Sequence, residues 1–350
     1  MAERITMTTE QQKKRHGRKA PSDLLAVDIG STGSKLVRVK KAKEGFVVVG
    51  ADILPTVSLN GTRSEGSLDS LRELPKGFRT NYVAVSVSSE RSVVRLLSLP
   101  GQPQSSAAVE AHLREHAGLE GDYRLSYNSS SIKKNGRGRV ETKYLAVAMP
   151  EREAAAVLSL VPAGPPAPWS LELSGLGALT AFLHGPGKAH EEESVGVIEG
   201  GARVTYLALF CKGQLVLVRK FDFGCETLVT KVEQTMGVER EVAEGIIADG
   251  SFDISNCVRD VMGPFLRQLS ISRDFVERQE KCRIARLYLS GGMSLSHYWV
   301  DAVRSGTKLD VQTWNPFEGV RVAAGAYPER LKGQQTRFTA ALGVALGAFE

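Results

Sequence analysis

Residues 24–39, Leu24-Leu-Ala-Val-Asp28-Ile-Gly30-Ser-Thr-Gly33-Ser-Lys35-Leu-Val-Arg-Val39, place two strand-forming runs around a short loop of glycine, serine and threonine. Glycine admits positive φ and lets the backbone approach a ligand closely. Successive loop N–H groups, two hydroxyls and a lysine are the groups that surround a phosphate. Asp28, at the end of the first run, is placed to hold a hydrated magnesium ion, a hard cation that takes carboxylate oxygen and keeps waters. The second run is strand-like, so the loop closes a hairpin. Walker and Rossmann phosphate loops both need strand, glycine loop and helix, which excludes them here.

The pattern returns about 170 residues later. Val195-Gly-Val-Ile198 leads into Glu199-Gly200-Gly201-Ala-Arg, and then Val204–Phe210, a Lys212-Gly213 turn and Gln214–Arg219. The first copy continues likewise through Lys43-Glu44-Gly45 into Phe46–Val49. Each copy reads strand, acidic glycine loop, strand, turn, strand. Such repetition predicts duplicated lobes facing each other.

Between the copies, Tyr82–Val87, Val93–Leu97 and Lys143–Ala148 read as strands, with helices over Ser106–Ala117 and Glu151–Leu160. Polar Asn128–Arg139 reads as an exposed hairpin loop, Pro162–Pro168 as a proline-rich connector and Leu173–Leu183 as a helix. Past the second hairpin, a helix follows Gly224, a shorter one covers Glu239–Ala248, and a long one covers about Ser255–Glu280. Pro264 should break or kink the long one unless it starts a new helix. Arg286–Ser290 is then a strand entering Gly291-Gly292-Met293 and a helix start. Such a turn exposes backbone amides at the positive end of a helix dipole and leaves a flat surface where a base or ribose can lie. Residues 338–348 form a helix of small residues suited to close packing.

At 350 residues, 42% hydrophobic and 24% charged, the composition is that of a globular chain with room for two lobes. Four widely spaced cysteines without a CxxC pair argue against a zinc site or a disulfide framework and fit a reducing cytosol. No apolar run approaches the roughly 20 residues that span a bilayer, and the N-terminus lacks the apolar core of a signal peptide, so a soluble intracellular protein is expected. The net charge of +6 is uneven: residues 1–22 carry Lys13, Lys14, Arg15, His16, Arg18 and Lys19 and read as a disordered basic tail. Attraction to anionic lipid or nucleic acid and a merely solvated leader are the two readings. The absence of aromatic residues for base stacking favours the second.

Asp28–Lys35, Glu199–Gly201 and Gly291-Gly292, in this order, resemble the two phosphate hairpins and adenosine turn of the actin-like ATPase superfamily. Within it the chain looks most like the PilM family of type IV pilus assembly, also called competence protein A. The resemblance covers about residues 23–350 and includes Leu97-Ser-Leu-Pro100 before a helix, Arg219–Gly224 leading into a helix, Ala243-Glu244, Leu289–Gly292, Asn315-Pro316-Phe317 and Ala341–Gly347. It implies an α/β fold of duplicated ribonuclease-H-like lobes: a first lobe over 23–190 with an inserted subdomain at about 51–150, a second over 191–337, and a C-terminal helix, 338–350, packing back on the first. It implies ATP or ADP with Mg2+, with slow or absent hydrolysis. Gly30, Ser31, Thr32, Gly33, Ser34 and Lys35 would line the phosphates, with Gly200 and Gly201 in the second hairpin. Asp28 and Glu199 would face the metal, Glu244 the ribose, and Gly291, Gly292 and Met293 the adenosine. The implied partner is the N-terminal cytoplasmic peptide of a PilN-like membrane protein. The implied role is a cytoplasmic scaffold or ring beside the inner membrane, working with pilus motor ATPases, with no direct nucleic-acid binding.

Two departures weaken the expected site. Glu199 stands where the family usually has aspartate, and Ile247 where it often has a lysine; losing that cation would cost on the order of 1 kcal/mol or more. Other functions on this superfold make different demands. A sugar or acid kinase, or another active ATPase enzyme, needs a base beside the acceptor, for which Asp222 and Asp249 are loose candidates. A division-type actin homologue calls for a basic amphipathic C-terminal helix, a chaperone ATPase for a substrate-binding domain after the second lobe, and a GspL-like secretion protein for a transmembrane helix. None of these is expected from residues 338–350 or from the hydropathy.

Overall fold

Strand β1 (Asp23–Gly30) is buried along nearly its whole length, with Leu24 and Ala26 entering one core and Leu25, Val27 and Ile29 another. A strand apolar on both faces belongs at the centre of a covered sheet. There it pairs with β2 (Gly33–Lys41) antiparallel and with β4 (Tyr82–Val87) parallel. The computed structural model describes residues 21–56, 71, 74–101, 105–134, 140–250 and 252–349, with the backbone alone at 130–134. The basic stretch Lys13–Lys19 lies outside the described residues.

With β3 (Phe46–Leu54), β8 (Ala167–Leu173) and the short β14 (Arg321–Val322), the first sheet runs β14-β3-β2-β1-β4-β8. The second lobe is built from β9 (Val195–Gly200), β10 (Thr205–Cys211), β11 (Gln214–Phe221), β12 (Arg286–Ser290) and β13 (Asp310–Thr313), in the order β11-β10-β9-β12-β13. Apart from the short β14, which adds parallel to β3, the two orders are the same: an antiparallel meander of three strands, then two parallel strands added beside the first. The predicted duplication is therefore present as topology, and the fold is actin-like.

A third sheet, in the order β5-β7-β6 (β5 Val93–Pro100, β6 Tyr123–Lys134, β7 Val140–Pro150), joins the helices Ser106–Ala117 and Glu151–Ser159 between β4 and β8. Of the segment 51–150, the end of β3 and all of β4 lie in the first sheet, and the separate sheet begins only at Val93. This unit has its own small core of Leu99, Val109, Leu113, Tyr127, Tyr144 and Ala146. It also leans on the second lobe, where Lys143 pairs with Glu280 at 3.2 Å and Lys220 donates to the carbonyl of Glu90.

Helices Ser174–His184 and Thr339–Gly347 cross between the sheets. A Cβ on Gly343 would lie 1.7 Å from the Gly177 carbonyl oxygen, and one on Gly177 2.6 Å from that of Ala340. Only glycines allow this approach. The second helix buries Leu342, Val344 and Leu346 with Leu24 and Val37 of the first sheet.

Three sequence expectations need correction. Residues 128–134 continue β6, paired with β7, and the rest of the expected loop, 135–139, lies outside the described residues. The end of the expected connector, Ala167-Pro168, opens the edge strand β8 (Ala167–Leu173), where proline is tolerated. The helix Ser255–Glu280 runs unbroken through Pro264. Proline deprives only the Asp260 carbonyl of its donor, and Asp260 is exposed to water, while Val258, Met262, Phe265 and Leu269 anchor both sides of the proline in the core.

Candidate functional site

The register of the first sheet composes the site's first half. Asp28 lies opposite Lys35 across β2 and opposite Ser86 across β4. Its Oδ1 accepts from Ser86 Oγ at 2.9 Å and from Ser174 Oγ, at the start of the interlobe helix, at 2.6 Å. Lys35 Nζ stands 3.9 Å from Oδ2. Its ammonium caps Gly30, where a Cβ would lie 2.4 Å from Nζ. Burial pulls the Lys35 pKa below the usual lysine value, with Arg337 adding to the effect and Asp28 and Glu199 opposing it.

The turn is the tight two-residue loop Ser31-Thr32, both exposed, between the paired Gly30 and Gly33. Gly33 has φ +130°, and a Cβ there would stand 3.0 Å from the Leu54 carbonyl. Ser34 is fully buried, and its hydroxyl has no hydrogen-bond partner among the described residues. The register pairs Ser34 with Ile29, so its side chain points to the sheet face opposite that of Asp28 and Lys35. A phosphate fits the exposed Ser31-Thr32 turn and the Lys35 ammonium.

The second half is arranged otherwise. Glu199 lies opposite Tyr206 on β10 and Ser290 on β12, and accepts a hydrogen bond from Ser290 Oγ. Burial pushes its carboxyl up to about 8, with the charge of Asp28 adding to the shift and Ser290 and Lys35 opposing it. Glu199 thus senses both Asp28 and Lys35 across the cleft and is mostly protonated at neutral pH in this state. It fits a metal only in its ionised form. Gly200 and Gly201 serve packing: a Cβ on Gly200 would come 2.8 Å from Met293 Cβ, and one on Gly201 2.8 Å from the Val204 carbonyl.

The adenosine turn is mixed. Gly291 holds φ +82°, its N–H donates to the Thr336 carbonyl at 3.1 Å, and Gly292 is exposed with nothing within 4 Å of a built Cβ. Met293, in contrast, is buried in the second-lobe core. Glu244 is an exposed residue of the helix Arg240–Asp249 and pairs with Arg240 at 2.9 Å. Arg240 in turn reaches Glu226, 3.9 Å away. Burial raises the Cys225 thiol, with Glu226 and Glu244 contributing, and Cys225 in turn acts on Lys35, so Glu244 is tied to that corner through charge alone.

Ser86, Ser174, Ser290 and Arg337 were not legible in the sequence as site residues. Each arrives by long-range pairing; Arg337 donates to the Thr32 carbonyl at 3.3 Å from 305 positions away. The one local signal was a serine at a strand end facing the acidic strand, as in Ser86 and Ser290.

The family model described as "Type IV pilus assembly protein PilM" matches residues 180–349, bearing out the resemblance over those residues. A chain of the solved "PilM-PilN type IV pilus biogenesis complex" superposes with a TM-score of 0.77 at 20% identity, over 94% of this chain and 100% of that one. An archaeal actin homologue gives a TM-score of 0.46 at 13% identity, over 92% and 98% of the two chains. A Bacteroides thetaiotaomicron protein with an actin-like ATPase fold gives 0.46 at 10%, over 85% and 93%. No curated protein sequence matches the chain. No helix among the described residues is long and apolar enough to cross a membrane.

Proposed function

We propose that this chain is a nucleotide-binding scaffold of a type IV pilus or related secretion machine, docking the cytoplasmic peptide of a PilN-like membrane protein. The observation that carries the nucleotide part is the meeting of Asp28, Lys35 and Glu199 from two lobes beside the exposed Ser31-Thr32 turn. ATP or ADP would place its phosphates on the Ser31–Lys35 turn, with Lys35 supplying a point charge. Gly291 and the open Gly292 would border the base, and Glu244 the ribose. Magnesium, when bound, would neutralise phosphate charge; Asp28 would face it, and Glu199 would do so as carboxylate, the form a nearby dication favours.

The partner part rests on the likeness to the PilM chain of the PilM-PilN complex. In this reading the protein sits in the cytoplasm at the inner membrane through that partner, forms a ring-like assembly and contacts the pilus motor ATPases. Hydrolysis is slow or absent.

The test is a titration of the purified chain with a fluorescent ATP analogue, with and without magnesium. Phosphate release is followed over hours, and a labelled peptide from the N-terminus of the neighbouring small membrane protein is titrated in parallel. Nucleotide binding, peptide binding and turnover slower than assembly are expected. Rapid turnover on an added small-molecule acceptor would replace the scaffold reading with a kinase.

A further inference from the structure

His112-Leu-Arg-Glu115-His116 lies on the helix Ser106–Ala117 of the inserted unit. One helical turn separates the two histidines, so they share a face. The apolar residues between and before them, Leu113 and Val109, turn inward to the small core of the inserted unit, while His112, Glu115 and His116 are all exposed. One ligand atom from each lies within 4.8 Å of the others.

The frame under these side chains is fixed at both ends. Ser105 Oγ accepts from the Ala108 N–H at 3.2 Å, and Gly118, in the left-handed region, closes the helix by donating to the Glu115 carbonyl at 3.1 Å. The Nδ1 of His116 lies 2.8 Å from the His112 carbonyl oxygen. A carbonyl can only accept, so Nδ1 carries the proton, and Nε2 is the free lone pair. That is the outer-sphere hydrogen bond by which metal-binding imidazoles are commonly oriented. Glu115 makes no ion pair among the described residues, whereas its neighbour Arg114 is taken up by Glu110. The group also sits in the last turns of the helix, whose carbonyl end favours a cation.

We propose that His112, Glu115 and His116 form a surface site for one divalent transition metal of the zinc class. Two imidazoles with one carboxylate select zinc, nickel, copper or cobalt over magnesium and calcium, which prefer oxygen. Three ligands from one helix leave a position of a tetrahedral ion open to water or to a side chain of another protein. Bound metal would staple the C-terminal half of this helix.

The test uses the full chain, freed of any histidine tag, titrated with zinc alone against a chromophoric chelator, with cobalt absorption in parallel. One high-affinity equivalent is expected. His112→Ala and His116→Ala should each weaken it at least tenfold, Glu115→Gln several-fold, with circular dichroism unchanged because all three side chains are exposed. Zinc should slow amide exchange at residues 112–118 in the wild type and not in the double histidine variant. Zinc affinity equal in the wild type and in the double variant, or no binding beyond that of the double variant, would overturn the proposal.

Discussion

The two hairpins at the cleft occupy the same place in two sheets of the same strand order, yet they carry different chemistry. Asp28 faces Lys35 and Ser86 across its neighbouring strands; Glu199 faces Tyr206 and Ser290 at the corresponding positions. An ammonium in one lobe is therefore replaced by a phenol in the other. The Tyr206 ring is buried against the interlobe helix, where a Cβ on Gly175 would strike it, and burial raises its hydroxyl to about 12. The first loop is Ser31-Thr32, open to water; the second spans residues 201–204, where Gly201 packs on the Val204 carbonyl, and the preceding strand residue Gly200 packs on Met293. The two lobes share a strand order, but one carries ionic groups suited to phosphate while the other is a packed floor. The comparison predicts unequal responses to equivalent changes.

The largest concerns Glu199. Its carboxyl is raised from an ordinary value near 4.5 to about 8 by burial, with Asp28 reinforcing the shift. A raised acid leaves folding unpenalised below the unfolded value and costs stability as pH climbs through the folded one. Without nucleotide or magnesium, the wild type should lose on the order of 2–4 kcal/mol between about pH 5 and 9 from this group. Glu199→Gln should flatten that slope and be the more stable protein at pH 9, read by chemical denaturation at several pH values. Equal slopes in the two proteins would show that Glu199 is ionised throughout and that its hairpin is not the neutral one.

The next effect separates the hairpins by ligand binding. Lys35→Met keeps the stem and removes the ammonium, and should weaken binding of the fluorescent ATP analogue by about 10- to 100-fold, the range of a charge-assisted hydrogen bond. Tyr206→Phe, at the matching position, should leave affinity within about twofold, since it removes one buried hydroxyl and no charge. Equal losses at both positions would make the second hairpin a phosphate contact too.

What could be read in advance follows the same division. The Asp28–Lys35 turn, the Glu199 echo and the Gly291 turn are local patterns of glycine, acid and strand, and all fall at the cleft. Most helices were equally plain because apolar spacing is local. Strand β8 was not, since Ala167-Pro168 hides an edge strand behind connector composition. The serines that hold Asp28 stand 58 and 146 positions away, brought in by parallel pairing and by a helix start that no local pattern specifies. Nor does a motif say whether its carboxylate is charged. The Glu199 proton comes from burial, a property of the packed lobes.

The smallest effect is the sharpest probe of the second hairpin. Glu199→Asp shortens the side chain by one methylene and draws the carboxyl back from Ser290, whose hydroxyl now donates to it. An aspartate there would sit as Asp28 does, on the strand beside a serine of the parallel neighbour. If a nucleotide-bound magnesium faces both strands, the shorter acid should tighten magnesium-dependent binding by roughly threefold, well under the 1.4 kcal/mol that a tenfold change represents. In EDTA the two proteins should bind alike, because phosphate contacts belong to the first hairpin. A gain that persists without magnesium would mean that the carboxylate acts on the protein's own packing. No change in either condition would leave the first hairpin as the sole polar contact and the second as a wall.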